Sequence, residues 1–216
     1  MSSVRSTRPA SSPAFRRLPR AVREQQMLDA AVRVFSQRGF HAASVDEIAE
    51  AAGISKPMVY AYLGTKEELF TACLHREGIR LIEALVEASG PNLAPDEQFW
   101  RGLRAFFVFV DTHRDGWTVL YRQARGQEPF AEVIAQLRAR MVEIVTGTLA
   151  RVSADVGLPA RADDVSTMAH ALVGAAEALA DWVVTHPGED PDVTATRLMN
   201  AVWMGADALL RGERWR

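Results

Sequence analysis

The sequence predicts an all-α protein with about nine helices. In each long segment, apolar residues recur at spacings of three and four, as on one face of a helix. No segment shows the sustained alternation of a half-buried strand. Of the 216 residues, 48 % are hydrophobic and 24 % are charged. That balance is typical of a globular protein and excludes a disordered or fibrous chain as a whole.

The first four helices are predicted from an apolar period and from their caps. Residues 27–35 carry a helical apolar period, which predicts a first helix from about Arg20 to Gly39. Ser44 and Glu47 fit a capping box that opens a short second helix. We expect Ser55 to cap a third, and Thr65 with Glu68 to open a long fourth helix to about Ala88.

The remaining segments predict five further helices and an N-terminal arm. Residues 1–19 are rich in Ser, Pro and Arg and are expected to be a flexible arm. The arm is either a solvated tail or, through Arg16, Arg17, Arg20 and Arg23, a further contact to DNA. The five helices are expected at about Asp96 to His113, Trp117 to Arg125, Pro129 to Ala154, Asp163 or Asp164 to His186, and Asp190 to Leu210.

The charge distribution predicts a local polyanion-binding face. Residues 1–64 contain nine Lys or Arg against five Asp or Glu, whereas residues 65–216 contain sixteen against twenty-two. A basic first third on an acidic remainder favours nucleic acid as the partner of that third. Only Lys56 and Lys66 among the 25 basic residues are lysine, a bias that indicates a GC-rich, bacterial genome.

Several classes of protein are disfavoured by missing parts. Glu177 and Asp181 interrupt the longest apolar stretch, so no transmembrane helix is expected, and the cytoplasm is the expected location. No two histidines lie at the i, i+4 spacing of a helical zinc motif, and no phosphate-binding glycine loop occurs. Cys73 lies beside apolar residues and is expected to pack. We therefore expect no metal, no cofactor and no enzymatic activity.

Residues 44–63 have the proportions of a helix-turn-helix. Two short helices flank Gly53, and the second displays Lys56 and Tyr60, with Tyr62 two residues on and Lys66 opening the next helix. Hydroxyl and ammonium groups at helix starts are phosphate ligands. Any two short helices with a glycine turn share this pattern, and a lone tyrosine is often a core ring. Because two tyrosines two residues apart cannot share one helical face, at least one is expected to be exposed.

An ordered set of motifs runs from Met27 to Leu69: Phe35 with Gly39-Phe40, Ser44 with Ile48-Ala49, Ala52-Gly53-Ile54-Ser55, Tyr60 and Tyr62, and Lys66-Glu67 with Leu69. With these motifs the segment resembles the DNA-binding domain of the tetracycline-repressor (TetR) family of bacterial regulators. One departure is Leu63, where many relatives carry phenylalanine.

The resemblance implies two domains and a set of DNA contacts. Residues 20–74 would form the helix-turn-helix domain and residues 75–216 the ligand-binding and dimerisation domain. The last two long helices would pair across a dimer axis, which small residues at Ala201, Gly205 and Ala208 would permit. The contacts implied are Ser44, Tyr60, Tyr62 and Lys66 to phosphates, and Ser55, Lys56, Pro57 and Met58 to bases.

An aromatic cluster predicts the ligand site. Eight aromatic residues lie within residues 99–130, and an aromatic-lined cavity between helices is a usual small-molecule site. For any single ring, simple core packing is the alternative. His170, Gly174, Glu177 and Asp181 share one helix face, either solvated or intersubunit or oriented towards a ligand. The candidate ligand residues are Phe106, Phe107, Trp117, Tyr121, His170 and Glu177.

Together these expectations describe a homodimeric transcriptional regulator that binds a pseudo-palindromic operator in double-stranded DNA. Repression, relieved by a small apolar or amphipathic effector, is the favoured interpretation. An activator, or an architectural DNA-binding protein without an effector, remains the alternative.

Overall fold

The structure is a computed structural model that describes residues 19–90, 92–124, 128–155 and 161–210, with side chains as far as Val202. Over these residues it is all-α, and the predicted fold class is confirmed. The elements are α1 (Arg20–Ala42), α2 (Val45–Ala52), α3 (Lys56–Leu63), α4 (Lys66–Ser89), α5 (Pro95–Thr112), α6 (Arg114–Trp117), a π-helix (Thr118–Gln123), α7 (Ala131–Asp155), α8 (Ala162–Thr185) and α9 (Pro191–Leu210).

Helix α1 is broken at the glycine where the sequence predicts its end. Gly39 has φ 76° and ψ 165°, after which a short helical stretch continues to Ala42. A left-handed φ of this kind favours glycine. A Cβ at Gly39 would also lie 2.9 Å from Gln123 Oε1, so the π-helix packs directly against the break.

Both predicted capping boxes are present. Ser44 Oγ accepts from the Glu47 backbone N–H at 3.1 Å, and Glu47 Oε2 accepts from the Ser44 N–H at 3.0 Å. Thr65 and Glu68 repeat the arrangement at 3.2 and 2.7 Å. Each pair satisfies donors that a helix start leaves free. Helices α2 and α4 are therefore fixed at the ends that flank α3.

The predicted Ser55 side-chain cap is wrong. Ser55 precedes α3, but its side chain makes no capping hydrogen bond. A capping oxygen accepts from the second or third N–H of the helix. Pro57, the second residue, has no N–H, and the Met58 N–H donates to the Ser55 carbonyl at 2.9 Å. The Ser55 hydroxyl therefore stays outside the cap at the exposed start of α3.

The middle of the chain differs from the predicted single helix over residues 117–125. Helix α6 begins at Arg114, and from Thr118 the backbone continues as a π-helix to Gln123. The later elements lie close to their predicted bounds. Asp190 caps α9, since its Oδ1 accepts from the Asp192 N–H at 2.8 Å.

One hydrophobic core holds α1 to α4 together. At its centre are four aromatic rings, Phe35, Phe40, Phe70 and Phe130, with neighbouring centroids 4.5 to 6.2 Å apart. Phe130 precedes α7, and Val119, Leu120 and Ala124 reach the same core from the π-helix and its end. This core, which we call the head core, therefore extends beyond residue 74, where the predicted domain boundary falls.

A second core lies between α4, α5, α6, α8 and α9. It is built on Phe106, Phe107, Val110 and Trp117, with Ala180 of α8 among its fully buried residues. We call it the regulatory core. Helix α4 contributes to both cores, so it runs from one region into the other. Among the described helices, none has the length and apolar character needed to cross a bilayer.

Candidate DNA-binding surface and ligand cavities

The turn between α2 and α3 is built on Gly53. Its φ of 67° and ψ of 34° are left-handed, and its N–H donates to the carbonyls of Ala49 and Glu50. Val59 and Ile48 are fully buried below the turn, which packs α3 on α2. The buried face of α3 therefore determines which residues at its start stay exposed.

The first turn of α3 presents three of the four residues expected to contact bases. Ser55, Lys56 and Pro57 are exposed, whereas Met58 is half-buried against the head core. Lys56 Nζ forms an ion pair with Asp46 Oδ2 at 2.8 Å. The hydrogen bond and the charge of Asp46 raise the pKa of Lys56, so its ammonium is cationic at neutral pH.

The four residues expected to contact phosphates differ in their surroundings. Tyr60 is 46 % exposed, so the expectation of an exposed tyrosine is confirmed. Tyr62 is half-buried, with the Arg20 guanidinium 5.0 Å from its ring centroid. Ser44 is half-buried in its capping box, whose hydrogen bonds hold the pKa of Glu47 below its ordinary value.

Lys66 lies beside the end of α1. Its Nζ donates to the His41 carbonyl at 3.2 Å and lies 4.7 Å from the centroid of the Phe40 ring. Ser44 follows His41 by only three residues, so Lys66 and Ser44 belong to the same edge of the head. Both lysines singled out in the sequence therefore have partners within the chain.

Two arginines that the sequence assigns to the arm are part of α1. Arg20 and Arg23 lie in its first turn, Arg20 over the Tyr62 ring and Arg23 Nη1 at 3.4 Å from Met58 Sδ. They add positive charge next to α3. The start of α1 at Arg20 agrees with the predicted start of the first helix, although Pro19 before it supplies no side-chain cap. Arg16 and Arg17 lie outside the described residues.

Two cavities of about 60 Å³ each lie in the regulatory core. The first lies between α4, α5, α7 and α8 and is lined by residues that include Leu103, Met141 and Ala176. The second lies nearer the head, where α4 and α7 approach α6 and the π-helix. We call them the outer and the inner cavity.

The structure brings four of the six candidate ligand residues to these cavities. Phe106 lines both, and Trp117, Tyr121 and Glu177 line the inner one. Phe107 lines neither: it is fully buried, 5.2 Å from the Phe106 ring. His170 also lines neither, because its exposed ring lies on the outside of α8, with Nδ1 2.8 Å from the Ser166 carbonyl.

The α8 face that carries His170, Gly174, Glu177 and Asp181, which we call the polar stripe, makes contacts within the chain. Glu177 accepts from Arg138 Nε of α7 at 3.0 Å, and Asp181 accepts from Arg122 Nε of the π-helix at 2.6 Å. Asp181 raises the pKa of Arg122 through that hydrogen bond. The stripe is therefore neither wholly solvated nor wholly available to a partner subunit, since two of its members join helices of one protomer.

Cys73 is a packing residue, as expected. It is fully buried in the head core, and this burial raises the pKa of its thiol to about 12. Its reactive thiolate form is therefore not populated near neutral pH. Within the described parts of the chain, no group of three or more His, Cys, Asp or Glu residues is placed to hold a metal ion.

These features define an all-α protein with a helix-turn-helix head and a cavity-containing regulatory region that share α4. Comparison with known families agrees: residues 27–73 match the bacterial regulatory proteins of the tetR family, and residues 95–205 match the tetracyclin repressor-like C-terminal domain. The second match alone covers more than half of the sequence. The chain belongs to the TetR family.

Individual relatives resemble this chain in sequence, and a solved structure resembles it in fold. The chain is 34 % identical to the HTH-type transcriptional activator FasR of Mycolicibacterium smegmatis over 67 % of this chain. The match spans 65 % of FasR, which is just under two thirds of the length of that relative. It is 27 % identical to the regulator YdgC of Bacillus subtilis over 84 % of this chain and 91 % of YdgC. The crystal structure of a TetR-like transcriptional regulator from Rhodococcus sp. RHA1 is 48 % identical, with a TM-score of 0.76, and the alignment covers 88 % of this chain and 99 % of that one.

Proposed function

We propose that this protein is a transcriptional regulator of the bacterial cytoplasm that binds a pseudo-palindromic operator as a homodimer and leaves it when a small ligand fills its cavities. The observation that carries the proposal is the exposed start of α3. Ser55, Lys56 and Pro57 project from a helix whose other face is buried and whose flanking helices begin in capping boxes. A rigid exposed helix start of this kind suits reading of the major groove.

In this proposal the head makes two kinds of DNA contact: contacts to phosphates, which position the protein, and contacts to base edges, which read the sequence. Ser44, Tyr60, Tyr62 and Lys66 contact phosphates, which fix the register of the protein on DNA without reading sequence. Ser55, Lys56, Pro57 and Met58 reach base edges, and Met58 does so only after parting from Arg23. Arg20 and Arg23 extend the cationic edge of α3 towards the backbone.

The outward face of α8 supports a homodimer. Trp182 is 49 % exposed, its ring stacked on His186 at a centroid distance of 3.5 Å, and Ala171 and Ala178 are exposed along the same helix. Small residues around an exposed aromatic ring suit close helix pairing. The small-residue face proposed around Gly205 lies outside the described side chains. In the dimer, the two copies of α3 would meet half-sites about 34 Å apart.

The cavities and the two routes from them to the head support a switch. Each cavity is far smaller than the roughly 300–1,000 Å³ of a usual ligand site, so an effector must push helices apart. Helix α4 lines both cavities and begins at Lys66. The π-helix lines the inner cavity through Leu120 and Tyr121 and packs Leu120 into the head core. A ligand that prefers the state in which these helices have moved apart weakens DNA binding. A coupling free energy of ~1–3 kcal/mol suffices for a loss of operator affinity of about 5- to 150-fold.

Operator footprinting tests the proposal. The expected result is protection of a short pseudo-palindrome near the gene's own promoter, and diffuse coating of DNA would contradict it. A reporter driven by that promoter then separates repression, which we favour, from activation, the second candidate. Activation is favoured by the relative FasR, which is named as a transcriptional activator.

A further inference from the structure

The two cavities share a wall of two apolar side chains, one of which is flexible. Phe106 and Met141 line both the outer and the inner cavity. Met141 is half-buried and unbranched, and methionine side chains readily adopt alternative rotamers. A shift of this side chain joins the two spaces into one elongated site. An elongated molecule therefore fits the joined site better than a compact one.

The outer cavity holds no spare hydrogen-bond donors among its described polar side chains. Ser89 donates to the Leu85 carbonyl at 2.7 Å, and Thr148 donates to the Ile144 carbonyl at 3.1 Å. Both N–H groups of the Gln98 amide are used, on the carbonyls of Gly90 and Leu93 at 3.0 and 3.1 Å. The rest of the lining is apolar, so this end suits a hydrocarbon chain.

The inner cavity is lined by a residue with a buried donor that has no partner among the described residues. Trp117 lines it with 4 % of its surface exposed, and its Nε1 has no hydrogen-bond partner among the described residues. The indole N–H can only donate, and a buried donor left unpaired is costly. The ring is held in place by stacking on Tyr121 at a centroid distance of 5.1 Å. A ligand oxygen at this end would pair the donor.

The charges at the inner end favour an uncharged acceptor. Glu177 accepts from Arg138 Nε at 3.0 and 3.2 Å, so the arginine already has its counterion. A ligand carboxylate here would place a second negative charge beside Glu177 against the single positive charge of Arg138. A carbonyl oxygen adds no such charge and still accepts from Trp117.

We propose that the joined cavities bind an elongated, uncharged molecule whose hydrocarbon chain lies in the outer cavity and whose carbonyl-type oxygen accepts from Trp117 Nε1. This assignment rests on the proposed role of the cavities as the effector site. It adds the shape of the effector, its charge and the one polar group that fixes its direction.

The donor is tested with 2-nonanone on the full chain by isothermal titration calorimetry. Trp117→Phe keeps an aromatic ring and removes the N–H, and we expect it to weaken 2-nonanone binding by about tenfold. The matched probe n-nonane, which has no acceptor, is expected to bind both proteins equally. We expect nonanoate at pH 7 to bind the wild type more weakly than 2-nonanone. Equal ketone affinity in the two proteins, or tighter binding of nonanoate, would overturn the assignment.

The shared wall is tested with methyl ketones of increasing length. For the wild type, affinity should rise about fourfold per methylene from 2-pentanone to 2-undecanone, because the chain extends from one cavity into the other. Met141→Phe places a stiffer side chain in the wall and should stop this rise at the shorter ketones. A wild-type affinity that stops rising at the shorter ketones would show that the cavities do not join, and an equal rise in both proteins would show that Met141 does not form the wall between them. This experiment does not use Trp117→Phe, so it tests the inference even if that variant fails to fold.

Operator binding without ligand separates this inference from the proposed function. A wild type that binds its operator but no methyl ketone contradicts the ligand assignment alone. A wild type that protects no operator contradicts the regulatory function, whatever the ketones do.

Discussion

The head core and the regulatory core differ in what their described residues form: contacting aromatic rings in the first, and cavities in the second. In the head, Phe35, Phe70 and Phe130 are almost fully buried. Together with Phe40, their rings form a cluster in which neighbouring centroids lie 4.5 to 6.2 Å apart. In the regulatory region, two cavities of about 60 Å³ remain and a buried indole N–H lacks a partner. Close-packed cores resist deformation, whereas cores with voids have lost contacts that a ligand can restore.

The difference teaches how one small chain can both read and respond. In the proposed function, a rigid head would keep the α3 side chains in one geometry, and a yielding regulatory core would let a ligand change the distance between two heads. The π-helix lies where these regions meet, with Val119 in the head core and Tyr121 in the inner cavity. It would therefore be one route by which a change of volume in the cavity reaches the head.

The same substitution in the two cores should have unequal effects. Leu69→Ala, at a fully buried head position, is expected to lower the free energy of unfolding by about 3–4 kcal/mol. Leu103→Ala, at a half-buried position in the wall of the outer cavity, is expected to cost about 1–2 kcal/mol, because fewer contacts are lost there. Urea unfolding at one fixed protein concentration measures both. Equal losses would show that the two cores are packed alike.

Assembly should depend on the regulatory region and not on the head. Trp182→Arg is expected to raise the dimer dissociation constant about 30-fold, or ~2 kcal/mol, because it places charge at the centre of the proposed interface. Val86→Arg is the control, since Val86 is also exposed, at 58 %, but belongs to α4. Sedimentation equilibrium compares them. A Trp182→Arg protein as dimeric as the control would remove α8 from the interface.

Within the head, the positioning and reading residues should separate. Lys66→Ala is expected to weaken binding to all DNA sequences about eightfold at 0.1 M salt and to reduce the slope of log K against log salt by about one. Lys56→Ala should instead change which operator is preferred. Fluorescence anisotropy on two operators over a salt series measures both effects. A change in base preference with Lys66→Ala, at unchanged affinity, would reverse the assigned roles.

The density of the head core is also expected to protect its thiol. Because burial raises the pKa of Cys73 to about 12, almost no thiolate forms as pH rises from 7 to 9. Iodoacetamide should therefore leave the native protein unlabelled at pH 8 and label it fully in denaturant, as mass spectrometry would show. Rapid native labelling would mean that the head core opens readily.

The parts of this division that could be predicted from sequence are local. The capping boxes of Ser44 and Thr65 connect residues three apart, and Gly53 acts on its own turn, so a short pattern contains all the information. The Ser55 cap failed for an equally local reason, the missing N–H of Pro57. Local patterns of this kind predict the helix ends and the exposed start of α3.

The parts that could not be predicted depend on distant contacts. Phe106 and Phe107 are neighbours, and only the packing of α5 places one in both cavities and the other in neither. Phe130 joins the head core although it follows Phe70 by sixty residues. The π-helix keeps the apolar pattern of an α-helix, so its residues do not distinguish the two.

The central claim is that ligand binding in the cavities and operator binding by the head weaken each other. Measuring the effect in both directions tests this claim most directly. A ligand found by thermal-shift screening is titrated calorimetrically into the free dimer and into the dimer saturated with operator. Linkage requires that operator weaken ligand binding by the factor by which ligand weakens operator binding, about 5- to 150-fold. The account predicts equal factors in the two directions. Equal ligand affinity with and without operator would contradict it.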